Sequence, residues 1–315
     1  MSKNKNLHKA KKEKNDEFYT LLSDIEKEMV WYKDFFKDKV VYCNCDDARE
    51  SNFFKYFSEN FELLGLKKLI TTGYIPGGHG VVLEYSGDKN GDFIVSDDEI
   101  STQSLAGDGD FRSPECIEFL KQADVVVTNP PFSLFREYVA QLMTFGKKFI
   151  VIGSKNAITF KEIFPLIKDN RLWLGPGFTA GNAYFKVGPG IDTSGFADGV
   201  YNSEDNTVKF RNCGWFTNVD FEARHDKLDL CKKYNSTDYP KYDNYNAIEV
   251  SKVSDIPEDY LDVMGVPITF LDKHCPSQFE IIGLDRYVSD NPNPGHRFNL
   301  DGKEMYARIL IKRKM

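Results

Sequence analysis

Apolar positions recur along the first half of the chain at two alternating periods. Leu21, Leu22, Ile25, Met29 and Phe36 fall near helical spacing and predict a helix running to about Lys37. Lys39–Cys43 then reads as a short buried strand that ends in the polar turn Asn44–Asp47. Phe53, Phe54, Phe57, Phe61 and Leu64 predict a second inward-facing helix, and Leu66–Thr72 a second strand. Val81–Tyr85 and Phe93–Ser96 flank the turn-rich Gly87–Gly91, which predicts a hairpin inserted into the alternation. Ser113-Pro114 has the make-up of a helix start, with Ser as cap and Pro in first position. Asp124–Thr128 is the most convincing strand, because consecutive valines suit a buried β position. A helix from about Leu134 to Phe145 and a strand Lys148–Gly153 continue the pattern.

Strand, helix, strand, helix at this spacing predicts an α/β fold with a parallel sheet covered by helices. Ligands of such sheets bind beyond the carboxyl ends of the strands, where the unusual polar motifs of this chain fall. From about Trp173 the pattern changes to glycines, aromatics and short strand-like pieces: Thr207–Phe210, Trp215–Val219, Ala247–Val250 and Phe279–Leu284. The expected organisation is a Lys-rich disordered tail over 1–15, an α/β domain over 16–174, and an irregular β-rich region over 175–315 that includes late strands of the sheet.

Composition narrows the classes. With 315 residues, 41% hydrophobic and 28% charged, the chain has the make-up of a soluble globular protein with a substantial core. No apolar run approaches the roughly 20 residues of a membrane span. The Lys-rich start has no apolar segment typical of a secretory signal, so the cytoplasm is the expected compartment. Six cysteines are then expected as free thiols, and Cys43-x-Cys45 is too tight for a zinc knuckle, so no metal is expected. A net charge of -7 speaks against a generic nucleic-acid coat protein. It leaves room for a DNA enzyme with a locally basic cleft.

The chemistry concentrates in Asn129-Pro130-Pro131-Phe132, directly after the valine strand. Each proline locks φ and lacks an N–H, so the pair stops the strand. The Asn129 carboxamide and the Pro130 carbonyl can then converge on one planar amino group and direct its lone pair. Phe132 offers a face on which an extruded base can stack. A sharp turn with a core phenylalanine would use the same four residues.

This tetrapeptide resembles the catalytic motif of amino-methyltransferases, which act on adenine N6 and on some other planar amines. Asp16-Glu17-Phe18-Tyr19-Thr20 resembles the cofactor motif that precedes the first strand in adenine DNA methyltransferases. Together with Tyr42–Asp47 and Gly214–Asn218, the arrangement is similar to the EcoRI-type adenine-specific methylase family over most of residues 16–284. The resemblance implies a Rossmann-like methyltransferase sheet, S-adenosylmethionine as donor, and double-stranded DNA as partner, with residues beyond about 175 reading the sequence. It implies base flipping and direct in-line transfer to adenine N6, with Asn129, Pro130, Pro131 and Phe132 as the catalytic set. It also implies cofactor contacts from Tyr19, Thr20, Cys43, Asn44, Cys45 and Asp46, and from the pair Asp110-Phe111. Cys43 stands where such loops commonly carry Asp, and Asp47 where they carry Gly, so this loop is expected to approach the cofactor differently. Asn182–Phe185 is a candidate source of a further aromatic at the target pocket. RNA or protein-glutamine methylation, and DNA binding on a decayed methyltransferase fold, are the competing readings.

Overall fold

Alternating periods of burial along the chain produce a mixed α/β fold, as the sequence predicts. The computed structural model describes residues 18–178, 182–188, 192–288 and 295–314. The basic tail, Asp16 and Glu17 lie outside the described residues, as does the side chain of Asp46. The chain divides into two compact units, one of Met1–Lys155 with Gly175–Val219 and one of Asn156–Leu174 with Asp220–Met315. Among the described residues, no helix is long and apolar enough to cross a membrane.

The first unit begins with strand β1 (Phe18–Thr20) and helix α1 (Leu22–Met29), which continues as a 3-10 turn over Val30–Phe36. Strand β2 (Val40–Asp46) leads to α2 (Asn52–Glu59), capped by Ser51, whose hydroxyl accepts from the Phe53 N–H at 3.2 Å. Phe53, Phe54 and Phe57 are buried along one face of α2, as their spacing predicts. After α3 (Phe61–Leu64) come β3 (Lys68–Gly73), β4 (Val81–Tyr85) and β5 (Ile100–Ser104). Helix α4 (Pro114–Gln122) starts as expected, with Ser113 accepting from the Cys116 N–H and proline in first position. Strand β6 (Val125–Thr128), helix α5 (Phe135–Thr144) and strand β7 (Lys148–Ser154) follow.

Strands of this unit lie side by side in the order β5-β4-β3-β2-β6-β7, followed by Cys213–Thr217. β3, β2, β6 and β7 are mutually parallel, whereas β4, β5 and Cys213–Thr217 run antiparallel to their neighbours. Val125, Val126 and Val127 are fully buried between β2 and β7. α5 buries Phe135, Tyr138, Val139 and Leu142, and each fully buried side chain of this size contributes about 1.5–3 kcal/mol. That burial outweighs any single hydrogen bond near the sheet end and fixes where α5 sits. A smaller antiparallel sheet joins β1 to Asn182–Val187, Thr207–Arg211 and Tyr201–Asn202 in that order.

Two sequence expectations are corrected. Residues 44–46 do not form a free turn, because β2 continues through them around a bulge between Cys43 and Asp46. Cys45 takes a left-handed φ of 68° there, while the buried Asn44 is held by neighbours on other elements. The strand paired with β4 is Ile100–Ser104, not Phe93–Ser96. The Asp88 carboxylate collects the N–H groups of Asn90, Gly91 and Phe93, and the buried Glu99 those of Lys89 and Ser96. Local carboxylates thus take the backbone donors that a strand would need, and Phe93 and Ile94 stay exposed.

In the second unit a four-stranded sheet has the order Ile248–Glu249, Met264–Pro267, Arg308–Arg313 and Phe279–Leu284. Its core includes Phe270, Ile309, Leu310 and Ile311. The Arg308 guanidinium meets the buried Glu249 carboxylate at 2.6 Å, and the Tyr242 hydroxyl donates to the same carboxylate.

Candidate active site

Every candidate residue belongs to the first unit: Cys43–Asp46 at the carboxyl end of β2, Asn129–Phe132 after β6, Tyr19 and Thr20 on β1, and Asp110 and Phe111 after a loop against the end of β3. β6 is bonded on both sides, to β2 and β7, so its end is rigidly placed. Pro130 and Pro131 then carry the chain out of the sheet. Asn129 is half-buried, and its Nδ2 donates to the Phe18 carbonyl at 3.3 Å. A carbonyl can only accept, so this bond sets which way the amide faces. The Asn129 Oδ1 is consequently presented as an acceptor, buried and with no protein partner. Leaving such an oxygen unpaired costs about 1–3 kcal/mol. The site therefore holds an acceptor aimed for a donor that the protein does not itself supply.

Phe132 is half-buried, and its ring meets Phe210 edge-on at 6.0 Å and 84°. Phe210 also packs against Phe18 at 5.0 Å and Phe185 at 5.3 Å, so the small sheet holds the Phe132 ring from behind. Phe185 thus supports the aromatic wall as a buried residue, whereas Tyr184 is exposed on the other face.

On β1, Thr20 is buried; its carbonyl accepts from Asn52 Nδ2 at 2.7 Å and its hydroxyl has no partner. Tyr19 stands opposite Lys186, where strand alternation directs it away from the side of Phe18 and Thr20. At the end of β2, Cys43 and Asn44 are buried and Cys45 is half-buried. The Asn44 Oδ1 accepts the Tyr138 hydroxyl, its backbone oxygen accepts the Thr128 hydroxyl, and the Cys45 thiol lies 3.5 Å from Oδ1. Burial holds the Tyr138 hydroxyl well above its ordinary pKa, so it remains a neutral donor.

Asp110 and Phe111 follow a loop laid against the end of β3. Gly109, at φ 85°, lets that loop pass so close to the Gly73 carbonyl that a Cβ would collide with it. Both Asp110 oxygens are engaged by Arg112, through Nε at 2.9 Å and Nη2 at 2.6 Å. These bonds hold the Asp110 carboxyl below the usual carboxylate range; Oδ1 also accepts the Arg112 backbone N–H at 2.8 Å, and Oδ2 keeps lone-pair capacity for a further donor. Phe111 is buried, with its ring edge-on to Tyr138 at 5.0 Å and its carbonyl accepting from Gln141 Nε2 at 3.2 Å.

One connected set of contacts therefore runs from Phe18 through Asn129, Thr128, Asn44 and Tyr138 to Phe111. Sequence reasoning missed Tyr138, Asn52 and Arg112. Tyr138 sits in the apolar period of α5 and reads as core; the only signal was that a buried tyrosine hydroxyl needs a partner.

The family described as adenine-specific methyltransferase EcoRI matches residues 6–314 of the chain. The chain belongs to this family. Type II methyltransferase M.EcoRI of Escherichia coli is 50% identical to it, over 99% of this chain and 97% of the relative. Type II methyltransferase M.MpnI of Mycoplasma pneumoniae is 38% identical over 98% of each chain, and M.MgeORF184P of Mycoplasma genitalium is 36% identical over 98% of each. No solved structure matches the chain. The resemblance carried by residues 129–132 thus extends to the whole chain, an adenine-specific methyltransferase.

Proposed function

We propose that this methyltransferase moves the methyl group of S-adenosylmethionine to the N6 amine of adenine in double-stranded DNA, with the target base turned out of the duplex. The observation that carries the reading is the buried, unpartnered Asn129 Oδ1 at the end of β6. An exocyclic amine supplies the missing donor, and the Pro130 carbonyl is the second acceptor for its other hydrogen. Held between two acceptors, the amine directs its lone pair along one line, and positioning of this kind contributes several kcal/mol. The half-buried Phe132 ring, held by Phe210, gives the base a surface to stack on.

The residues present fit S-adenosylmethionine, because the buried Thr20 hydroxyl also lacks a partner, on the same short strand whose Phe18 carbonyl accepts from Asn129. Thr20, Cys43, Asn44, Cys45 and Asp46 would hold the cofactor, with Asp110 accepting from its adenine amine and Phe111 packing beside it; Tyr19, whose side chain points to the other side of β1, would contribute through its backbone alone. When bound, the donor supplies an electrophilic methyl on a sulfonium, transferred in line to the amine. Burial of Cys43, Phe111 and the Tyr138 ring keeps water from these walls and favours loss of the positive charge. The parallel core β3-β2-β6-β7, with candidate residues at its carboxyl ends, supports a Rossmann-like methyltransferase sheet. The Type II names of the relatives support a modification role beside a restriction enzyme.

Nucleoside mass spectrometry of DNA treated with enzyme and S-adenosylmethionine tests the product. The expected product is N6-methyladenine from duplex DNA; methyl groups on cytosine, or on RNA alone, would overturn the reading.

A further inference from the structure

The small sheet of the first unit has two unlike faces. Along Asn182–Val187, Ala183, Phe185 and Val187 are buried, whereas Asn182, Tyr184 and Lys186 are exposed. Register places Arg211 opposite Asn182 and Lys209 opposite Tyr184, so these five side chains share the outward face. The inward face is the aromatic wall of Phe18, Phe185 and Phe210 that supports Phe132.

The outward face is basic in a chain whose net charge is -7. Lys209 Nζ lies 5.7 Å from the centre of the Tyr184 ring, a cation–π contact that holds the ammonium over an exposed aromatic. Arg211 is exposed, and among the described residues neither Arg211 nor Lys209 is ion-paired. The opposite end of the face is less basic. Lys186 Nζ is bonded to the Asp205 carbonyl, and Glu204 and Asp205 lie in the adjoining turn. The free positive charge is therefore concentrated at the Asn182 and Arg211 end. Two residues along a strand span about 7 Å, so Lys209 and Arg211 are spaced to meet adjacent phosphates on one nucleic-acid strand.

We propose that Asn182, Tyr184, Lys209 and Arg211 form a phosphate-binding face that grips the substrate duplex on the back of the sheet that supports Phe132. The assignment rests on the DNA reading above. It adds a sequence-independent backbone contact to it, separate from the residues that touch the target base.

The test compares wild type with the double variant Lys209→Ala/Arg211→Ala, and with Tyr184→Ala and Tyr184→Phe. Binding to a short fluorescein-labelled duplex is followed by anisotropy across a salt series, and thermal melts report folding. The double variant is expected to melt like wild type, bind about tenfold more weakly, and lose about two from the slope of log affinity against log salt. Tyr184→Phe, which keeps the aromatic face, is expected to bind better than Tyr184→Ala. A folded double variant with wild-type affinity and slope would overturn the face while leaving the DNA reading intact. Wild type that binds no duplex and methylates no DNA would remove the reading on which the face rests.

Discussion

At the scale of single residues, the polar atoms left without partners mark where a substrate group can bind. Asn129 shows this most clearly, since bonding of Nδ2 to Phe18 leaves Oδ1 buried and unpaired. Asn129→Ala is expected to slow transfer by about 100-fold or more while leaving fold and cofactor binding in place, as single-turnover kinetics would report. Tyr138→Phe removes the O–H that Asn44 accepts, and is expected to lower stability by about 1–2 kcal/mol and to raise the KM for S-adenosylmethionine. Equal melting temperatures and KM values for variant and wild type would contradict that role. The tetrapeptide itself was legible in the sequence, because Asn-Pro-Pro-Phe after a valine strand is a local pattern with a direct chemical consequence. The Tyr138–Asn44 bond was not, because it joins residues on α5 and β2 that only the folded sheet brings together.

At the scale of elements, the sequence revealed those parts whose signals are local. The helix cap at Ser113 and the valine strand were read correctly from a few neighbouring residues. The Asp88–Glu99 loop was misread, because Glu99 bonds backbone ten residues away and no period of apolar positions records that. Gly109 illustrates a packing constraint that composition hides. Gly109→Ala is expected to strain the positive-φ loop before Asp110 and Phe111, lowering the melting temperature, with weaker cofactor binding in calorimetry.

Glu28 adds a pH dependence at this scale. It is fully buried on α1, with one oxygen accepting from the Tyr32 hydroxyl at 2.7 Å and the other from the Gly177 N–H at 2.6 Å. Burial pushes its carboxyl up to about 8. The folded state therefore holds this proton more tightly than the unfolded chain. Its contribution to stability is fully present below the ordinary value near 4.5 and falls as pH rises toward about 8. Glu28→Gln keeps the shape without the titration, so its melting temperature is expected to decline less than that of wild type between pH 5 and 9. Parallel declines would show that Glu28 does not titrate in that window.

For the whole molecule, net charge alone was a poor guide to substrate. A value of -7 is compatible with a DNA enzyme when Lys209 and Arg211 gather on one sheet face. The alternation of strands and helices was enough to predict an α/β fold, but not the small sheet that ties β1 to Asn182–Val187. That sheet pairs residues more than 160 positions apart, Phe18 with Val187 among them, and sequence periodicity has no reach over such distances. The central claim is that Asn129 directs transfer to adenine N6 in DNA. Its most direct test is transfer of a labelled methyl group from S-adenosylmethionine to unmethylated genomic DNA by wild type and Asn129→Ala, each first shown to bind the cofactor. Label is expected in N6-methyladenine with wild type and almost none with the variant; an equally active variant, or label absent from adenine, would contradict this role of Asn129.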